Sequence, residues 1–124
     1  MMRLVGEALY YVVRTEWLMW RRGLPALHDM LKRTPTPKFS ARHFTPEQLC
    51  RAVDIACVVY FKDVLCLQRS AATVMLFRRY SLHAELVIGA KIIPFKSHAW
   101  VELRGTVVND KPYISQLYRE LERC

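Results

Sequence analysis

The sequence lacks several features that would assign its class at once. It contains no C-x-x-C pair, no H-x-x-x-H or H-E-x-x-H spacing and no regular cysteine framework. Neither a zinc site nor a disulfide-stabilised secreted domain is therefore expected, and no metal or other cofactor is predicted. The four cysteines, which are Cys50, Cys57, Cys66 and Cys124, are expected to be free thiols, and this favours a cytoplasmic location.

Long apolar runs are also missing. The greasiest stretch, residues 4–20, is interrupted by Glu7, Arg14 and Glu16 and is short for a bilayer span. It has no clean apolar core followed by a small-residue cleavage site, so a signal peptide is not predicted. Contact of this stretch with a membrane surface stays open as a less favoured alternative.

Acidic residues are scarce beside basic ones, 11 against 19, which gives a net charge of +8. The excess is strongest in residues 1–44, which hold eight basic and three acidic side chains. A basic N-terminal segment of this kind favours an acidic partner. Nucleic acid is the less favoured partner because there is no zinc-finger spacing, no RNP-like aromatic strand and no Arg-Gly run.

A chain of 124 residues suffices for one core. We predict an N-terminal helical segment with a basic linker over 1–44 and the main domain over 45–124. The first helix, over 3–22, carries more apolar surface than one core-facing stripe needs. The excess predicts a partner-docking surface that includes Tyr10, Trp17 and Trp20, with burial in the core as the alternative. Gly23 and Pro25 end this helix. A short second helix is expected next, followed by a connector that contains spaced prolines.

The second half changes from helices to strands. Thr45 and Gln48 form a capping box for a helix that ends near Phe61. Asp63 is expected to cap a further helix that holds Cys66 in its first turn. Strands are predicted over 85–93, 97–103 and 106–109, with a break at Pro94, and then a last amphipathic helix with Ile114, Leu117, Tyr118 and Leu121 as its buried side. Helices followed by an antiparallel sheet make an α+β domain.

The turn at Arg104-Gly105 decides which way His98 and Asp110 point. A two-residue turn needs a positive φ at Arg104 and places Asp110 on the other face from His98. A three-residue loop over 103–105 needs the left-handed conformation only at Gly105. That register pairs Trp100 with Val108 and His98 with Asp110. We therefore predict a contact between imidazole and carboxylate.

A cysteine, a histidine and an aspartate are residue types that together suggest nucleophilic catalysis. A carboxylate on one ring nitrogen fixes the tautomer of a histidine and leaves the other nitrogen free to take a proton. Cys66, in the first turn of a helix, lies where the macrodipole stabilises a thiolate. The alternatives are an inert buried cysteine, a satisfied polar histidine and a turn-forming aspartate. Only the conjunction of Cys66, His98 and Asp110 favours catalysis.

Four segments carry a family resemblance: CLQRSAATVMLFRR at 66–79, ELVIGA at 85–90, Pro94-Phe95, and HAWVELRGTVVND at 98–110. Together they resemble the lasso-peptide leader peptidases, the protease members of the lasso biosynthesis B proteins, which are bacterial transglutaminase-like cysteine proteases. The resemblance covers about residues 45–124. It implies a papain-like or transglutaminase-like core in which Cys66, His98 and Asp110 form a triad acting through a thioester. The resemblance also marks four nearby residues as shaping the site or binding substrate. These are Gln68, Arg69 and Ser70, near Cys66, and Trp100, near His98.

The resemblance also implies partners. The substrate is a precursor peptide whose leader is cut from its core, and the leader is held by a recognition protein. Because the chain starts with a greasy helix, that recognition protein is expected to be a separate chain. An ATP-dependent cyclase would use the product. Two alternatives remain: an acyltransferase with the same triad, and a non-catalytic peptide-binding subunit.

Overall fold

The computed structural model describes residues 2–92 and 95–124, so the break predicted at Pro94 lies outside the described residues. Helices form the first part and strands the second, and the predicted α+β class is confirmed. The strands make one antiparallel sheet in the order β3-β2-β1-β4. The elements are α1 (Met2–Arg22), α2 (Leu24–Arg33), α3 (Pro46–Val59), α4 (Cys66–Arg79), β1 (Ala84–Ile92), β2 (Phe95–Leu103), β3 (Thr106–Val107), α5 (Ile114–Leu117) and β4 (Arg119–Arg123).

Helix α4 is the centre of the molecule. Its side chains from Gln68 to Arg78, apart from Arg69, are buried because α1, α3 and the β1-β2 pair all pack against it. Helix α1 contributes to the same core through Leu4, Ala8 and Val12. The functional division into 1–44 and 45–124 stays a prediction, and α1 is structurally part of the core that supports α4.

The two helices beside the site begin differently. At α3 the predicted capping box is present: Thr45 Oγ1 accepts from the amide of Gln48 at 3.2 Å, and Gln48 Oε1 accepts from the amide of Thr45 at 2.9 Å. Such a cap stabilises a helix by about 1 kcal/mol. At α4 the expected cap by Asp63 is wrong, because Leu65 is the N-cap residue and no side chain caps the helix. The first amides of α4 are therefore left without a capping oxygen.

One buried arginine ties the helical and sheet layers together. Arg78, only 3% exposed, donates through Nε to the carbonyl of Ala84 at 3.2 Å and through Nη2 to that of Cys124 at 3.3 Å. Nη1 donates to the carbonyls of Leu31 and Thr34. Burial lowers the pKa of Arg78, and these carbonyls satisfy a guanidinium that water does not reach.

The C-terminus departs from the prediction. Only α5 is helical, and residues 119–123 form β4, which pairs with β1. Leu117 and Leu121 are exposed, at 52% and 65%, so the expected buried side of an amphipathic helix does not exist. The free edge of β1 offers a row of backbone donors and acceptors, and pairing with that edge outweighs the local helical pattern.

The predicted register of the β2-β3 hairpin is also wrong. Leu103 pairs with Thr106 and Glu102 with Val107, which makes a two-residue turn. Both turn residues are left-handed, with φ of 54° at Arg104 and 79° at Gly105. This turn matches the twist of the strands, and Arg104 accepts the conformation at a cost of about 1–2 kcal/mol.

Candidate active site

His98 and Asp110 are in contact. His98 Nε2 lies 2.6 Å from Asp110 Oδ2, and the two side chains are 24% and 25% exposed. Because Nε2 faces the carboxylate, Nδ1 is the ring nitrogen left for another partner. The predicted contact is present, although the register from which it was predicted is not.

Asn109 explains how Asp110 reaches the histidine. The β2-β3 pairing continues to Val108, whose amide donates to the carbonyl of Val101 at 3.0 Å. At the next position a side chain takes the place of a backbone carbonyl as hydrogen-bond acceptor: Asn109 Oδ1 accepts from the amide of Val101 at 2.7 Å. The chain leaves the ladder there, so strand alternation no longer dictates the direction of Asp110.

Ser70 connects helix α4 to β2 and to Asn109 through hydrogen bonds. Its hydroxyl donates to the carbonyl of Ala99 at 3.3 Å and accepts from Asn109 Nδ2 at 3.0 Å. Ser70 is 1% exposed, so these are buried hydrogen bonds that fix α4 against the edge of β2. Ser70 is thus hydrogen-bonded to Ala99, which follows His98 in the chain, and to Asn109, which precedes Asp110; its role in shaping the site stays a prediction.

The environment of Asp110 favours its charged form. Partial burial acts to raise the pKa of its carboxyl, but the hydrogen bonds from His98 and from the amide of Lys111, at 2.7 Å, outweigh burial. Positive charge on His98 and Lys111 acts in the same direction. The net result is a pKa below the usual value for aspartate, as expected for a carboxylate that accepts several hydrogen bonds.

Cys66 lies at the same end of the sheet. It is the first residue of α4 and is partly buried. One helical turn, about 6 Å, separates it from Ser70, and the same distance along β2 covers about two residues back from Ala99, past His98. Helix α4 and β2 run in the same direction, since Ser70 near the start of α4 contacts Ala99 and Arg78 at its end contacts Ala84, the partner of Leu103. Cys66 and His98 are thus at corresponding levels.

The imidazole and the thiol are not hydrogen-bonded to each other in the part of the chain that the structure describes. Alternation along β2 places His98 with Trp100, on the side away from the α4 core that receives Ala99 and Val101. The structure therefore brings His98 and Asp110 together, whereas Cys66 begins α4, which packs on the opposite face of β2.

Two aromatic rings adjoin His98. The Trp100 ring stacks at 6.2 Å between centroids with an interplanar angle of 26°, and the Tyr118 ring at 5.5 Å and 30°. Trp100 is only 1% exposed, so it packs beneath the histidine and does not wall an open cleft. Sequence reasoning missed Tyr118 as a site residue because it was placed on the expected C-terminal helix.

Gly89, opposite His98 in the β1-β2 register, permits this packing. A Cβ atom at Gly89 would lie 2.7 Å from Cη2 of Trp100 and 2.9 Å from Cβ of Tyr118. Real side chains do not approach so closely, so the position requires glycine for space. Isolated glycine within a strand pattern was the available signal.

The remaining candidates near Cys66 differ in exposure. Gln68 is buried, and its Oε1 has no hydrogen-bond partner within residues 2–92 and 95–124. Arg69 is exposed and forms a 3.8 Å ion pair with Asp54, itself largely solvated. Among the described residues, no group of three or more His, Cys, Asp or Glu side chains is placed to hold a metal ion.

The other three cysteines are poor nucleophiles. Burial, with Asp54 and Glu47 nearby, raises the pKa of Cys50 to about 12. Burial also raises the pKa of Cys57 and of Cys124. These three groups therefore remain thiols at neutral pH, and the thiolate is the reactive form.

Helix α1 presents an apolar stripe to solvent. Tyr10, Val13, Trp17 and Trp20 recur every three or four residues and are 46–77% exposed. Beside them, a groove of about 500 Å³ between α1 and α2 is lined by Arg14, Trp17, Leu18, Arg22, Ala26, Asp29, Met30, Arg33, Thr34 and Pro35. No helix in residues 2–92 or 95–124 is both long and apolar enough to span a bilayer.

Comparison with known proteins assigns the fold family. A family model described as the transglutaminase-like superfamily matches residues 9–123. The chain belongs to the transglutaminase-like superfamily. This membership agrees with the α+β architecture, in which Cys66 begins a helix that packs on the sheet carrying His98.

Within this superfamily, the chain is similar to the microcin J25-processing protein McjB of Escherichia coli, with 45% identity over 47 residues. The match covers 38% of this chain and 23% of that relative, so the transglutaminase-like chain matches less than a quarter of the relative's length. No solved structure matches it. The predicted resemblance to lasso biosynthesis B proteins is confirmed, while the roles of Cys66, His98 and Asp110 stay predictions.

Proposed function

We propose that this protein is a cysteine peptidase that removes the leader from a lasso-peptide precursor. The observation that carries the proposal is the 2.6 Å contact between His98 and Asp110, at about the level along β2 where α4 begins with Cys66. Membership of the transglutaminase-like superfamily and the similarity to McjB support it.

In the proposed mechanism, the Cys66 thiolate attacks the carbonyl carbon at the leader-core junction and forms a tetrahedral intermediate. The amide of Cys66, at the uncapped start of α4, is the candidate donor to the oxyanion. Protonated His98 gives its proton to the leaving amine as the peptide bond breaks, which leaves the leader as a thioester on Cys66.

Hydrolysis completes the cycle. His98 takes a proton from water, the resulting hydroxide attacks the thioester, and the leader leaves as a carboxylic acid that ionises in solvent, which restores the Cys66 thiolate beside protonated His98. Asp110 holds Nε2 of His98 throughout, so Nδ1 is the nitrogen that exchanges protons. The released core has a free α-amine, which a separate ATP-dependent cyclase would join in the ring.

The proposed partner of α1 is a leader-recognition protein with an acidic surface around an apolar contact. The stripe of Tyr10, Val13, Trp17 and Trp20 supplies the apolar part. Three arginines, Arg14, Arg22 and Arg33, line the adjacent groove with only Asp29 as an acidic side chain, and this favours acidic complements. We place this assembly in the cytoplasm, where the four free cysteines would stay reduced.

The test is to incubate the purified chain with the precursor peptide and recognition protein encoded beside its gene, and to read the products by mass spectrometry. We expect two fragments whose masses sum to that of the precursor plus one water. Cys66→Ala should abolish them, and the matched control Cys57→Ala should not. An adduct between the leader and an added amine, with no hydrolysis, would indicate an acyltransferase. Peptide binding without any cleavage would indicate a non-catalytic subunit and contradict the proposal.

A further inference from the structure

A buried carboxylate that the proposed peptidase mechanism does not use lies behind His98. Glu102 is only 6% exposed, and both of its oxygens are engaged. Oε2 accepts from Trp100 Nε1 at 2.8 Å, and Oε1 accepts from Arg123 Nη1 at 3.0 Å. Both oxygens of this buried carboxylate are hydrogen-bonded, and removing either partner would leave an uncompensated buried charge, which is strongly unfavourable.

Trp100 transmits this anchoring to the histidine. Its indole stacks on His98, and Tyr118 contacts both rings, 5.5 Å from His98 and 6.2 Å from Trp100. Gly89 leaves the space that Trp100 and Tyr118 occupy. The imidazole is therefore bounded by two aromatic rings and, at Nε2, by Asp110.

Arg123 extends the network to the C-terminal strand. Beyond Glu102, it donates to Glu85 at 3.3 Å and to Glu120 at 3.2 and 2.7 Å. The hydrogen bonds that Arg123 donates to Glu120 and Glu102 raise its pKa despite partial burial. The guanidinium is thus permanently charged and held at the edge of β1 by β4.

We infer that Glu102 and Arg123 are positioning residues that hold the His98 imidazole in its plane through Trp100. The Tyr118 ring contacts the same imidazole. No proton passes through Glu102. This inference rests on the proposed function and deepens it, because it makes strand β4 and the residue before it part of the catalytic machinery.

The test compares three variants of the full chain. Glu102→Ala removes both hydrogen bonds, Glu102→Gln keeps an oxygen for the Trp100 indole, and Glu85→Ala removes a partner of Arg123 that does not contact Trp100. We expect kcat for precursor cleavage to fall about tenfold to 10²-fold in Glu102→Ala with little change in KM, because a misplaced group costs rate and not binding. Glu102→Gln should keep most of kcat, and Glu85→Ala should stay within twofold of the wild type.

A second measurement needs no substrate. The ¹⁵N and ¹³C signals of the His98 ring should report one tautomer with the proton on Nε2 in the wild type, and averaged signals in Glu102→Ala. Trp100→Phe, which keeps a ring and loses the indole N–H, provides the same readout if Glu102→Ala does not fold. Unchanged kcat and unchanged ring signals in both variants would overturn the inference, as would equal losses in Glu102→Gln and Glu102→Ala. A wild type that cleaves no precursor but whose ring signals respond to Glu102→Ala would overturn the proposed peptidase activity alone.

Discussion

His98 Nε2 and Asp110 Oδ2 lie 2.6 Å apart although the two residues are not partners in the β-ladder. Asn109 makes this contact available, because its side chain pairs with the amide of Val101 and lets the backbone turn away from β2. The orientation of the carboxylate is therefore set by one amide side chain at the end of a strand.

Asp110→Asn should reduce precursor cleavage by orders of magnitude, up to about 10⁴-fold, because an amide in place of the carboxylate favours the wrong tautomer of the histidine. Peptide cleavage rates measured at fixed enzyme concentration check this. The matched control is Asp63→Asn, since Asp63 is exposed and caps no helix. A near-normal rate in Asp110→Asn would mean that another group orients His98.

Asp110 also predicts a dependence of stability on pH. Its pKa is lower in the folded protein than the ordinary value of 3.8, so its ionised form is favoured by folding. That contribution is fully present above the unfolded pKa and is lost as pH falls through the lower, folded one. The difference in urea midpoint between the wild type and Asp110→Asn should therefore shrink below about pH 4. A difference that stays constant from pH 7 to pH 3 would contradict this account.

Alkylation by iodoacetamide near pH 7.5 should label Cys66 first. With a pKa of about 12, Cys50 has a thiolate fraction of only about 3 × 10⁻⁵ at that pH, and burial also raises the pKa of Cys57 and Cys124. Peptide mapping by mass spectrometry measures each site. His98→Ala should slow labelling at Cys66 and leave the other three sites unchanged. Slow, equal labelling of all four cysteines would count against an activated nucleophile.

Gly89→Ala should destabilise the fold and reduce activity. The added methyl would lie 2.7 Å from the Trp100 ring and 2.9 Å from Tyr118, and overpacking of this kind costs about 1–3 kcal/mol. The displaced rings are those that contact His98, so cleavage should fall as well. Gly6→Ala is the control, since a Cβ there meets nothing within 4 Å on helix α1, and it should stabilise by up to about 1 kcal/mol. Urea unfolding measures both, and equal stability of Gly89→Ala and the wild type would refute the steric argument.

The sequence allowed local structure to be predicted well where one short pattern decides it. The capping box at Thr45 is such a case, since it depends on neighbouring residues alone. The start of α4 at Cys66 was predicted too, although the cap by Asp63 on which that prediction relied is absent, since Leu65 is the N-cap residue. The C-terminal strand was not predictable, because residues 119–123 become a strand only by pairing with β1, which is distant in sequence. The prediction of the hairpin register failed for a related reason. Arg104 prefers a negative φ, but the pairing of β2 with β3 outweighed this preference.

The exposed stripe on α1 gives the last prediction. Deleting residues 1–22 would not test it, because Leu4, Ala8 and Val12 of this helix belong to the core and their loss would unfold the protein. The double variant Trp17→Ser and Trp20→Ser changes only the stripe, whose two indoles are 56% and 77% exposed. Binding of the recognition protein, measured by calorimetry, should weaken at least tenfold, since exposed tryptophans at interfaces are frequent hot spots.

Arg14→Glu should weaken the same binding and make it less sensitive to salt, because the groove would lose one of its positive charges. Phe39→Ser is the matched control, as Phe39 is 79% exposed but lies on the linker. In each variant the rate of Cys66 alkylation should stay at the wild-type value, because α1 contacts neither His98 nor Asp110 in the hydrogen-bond network. If binding is equally strong in the wild type and the double variant, the stripe does not dock the recognition protein. A loss of binding in Phe39→Ser equal to that in the double variant would lead to the same conclusion, since it would show a general dependence on exposed apolar surface and no specific docking by α1.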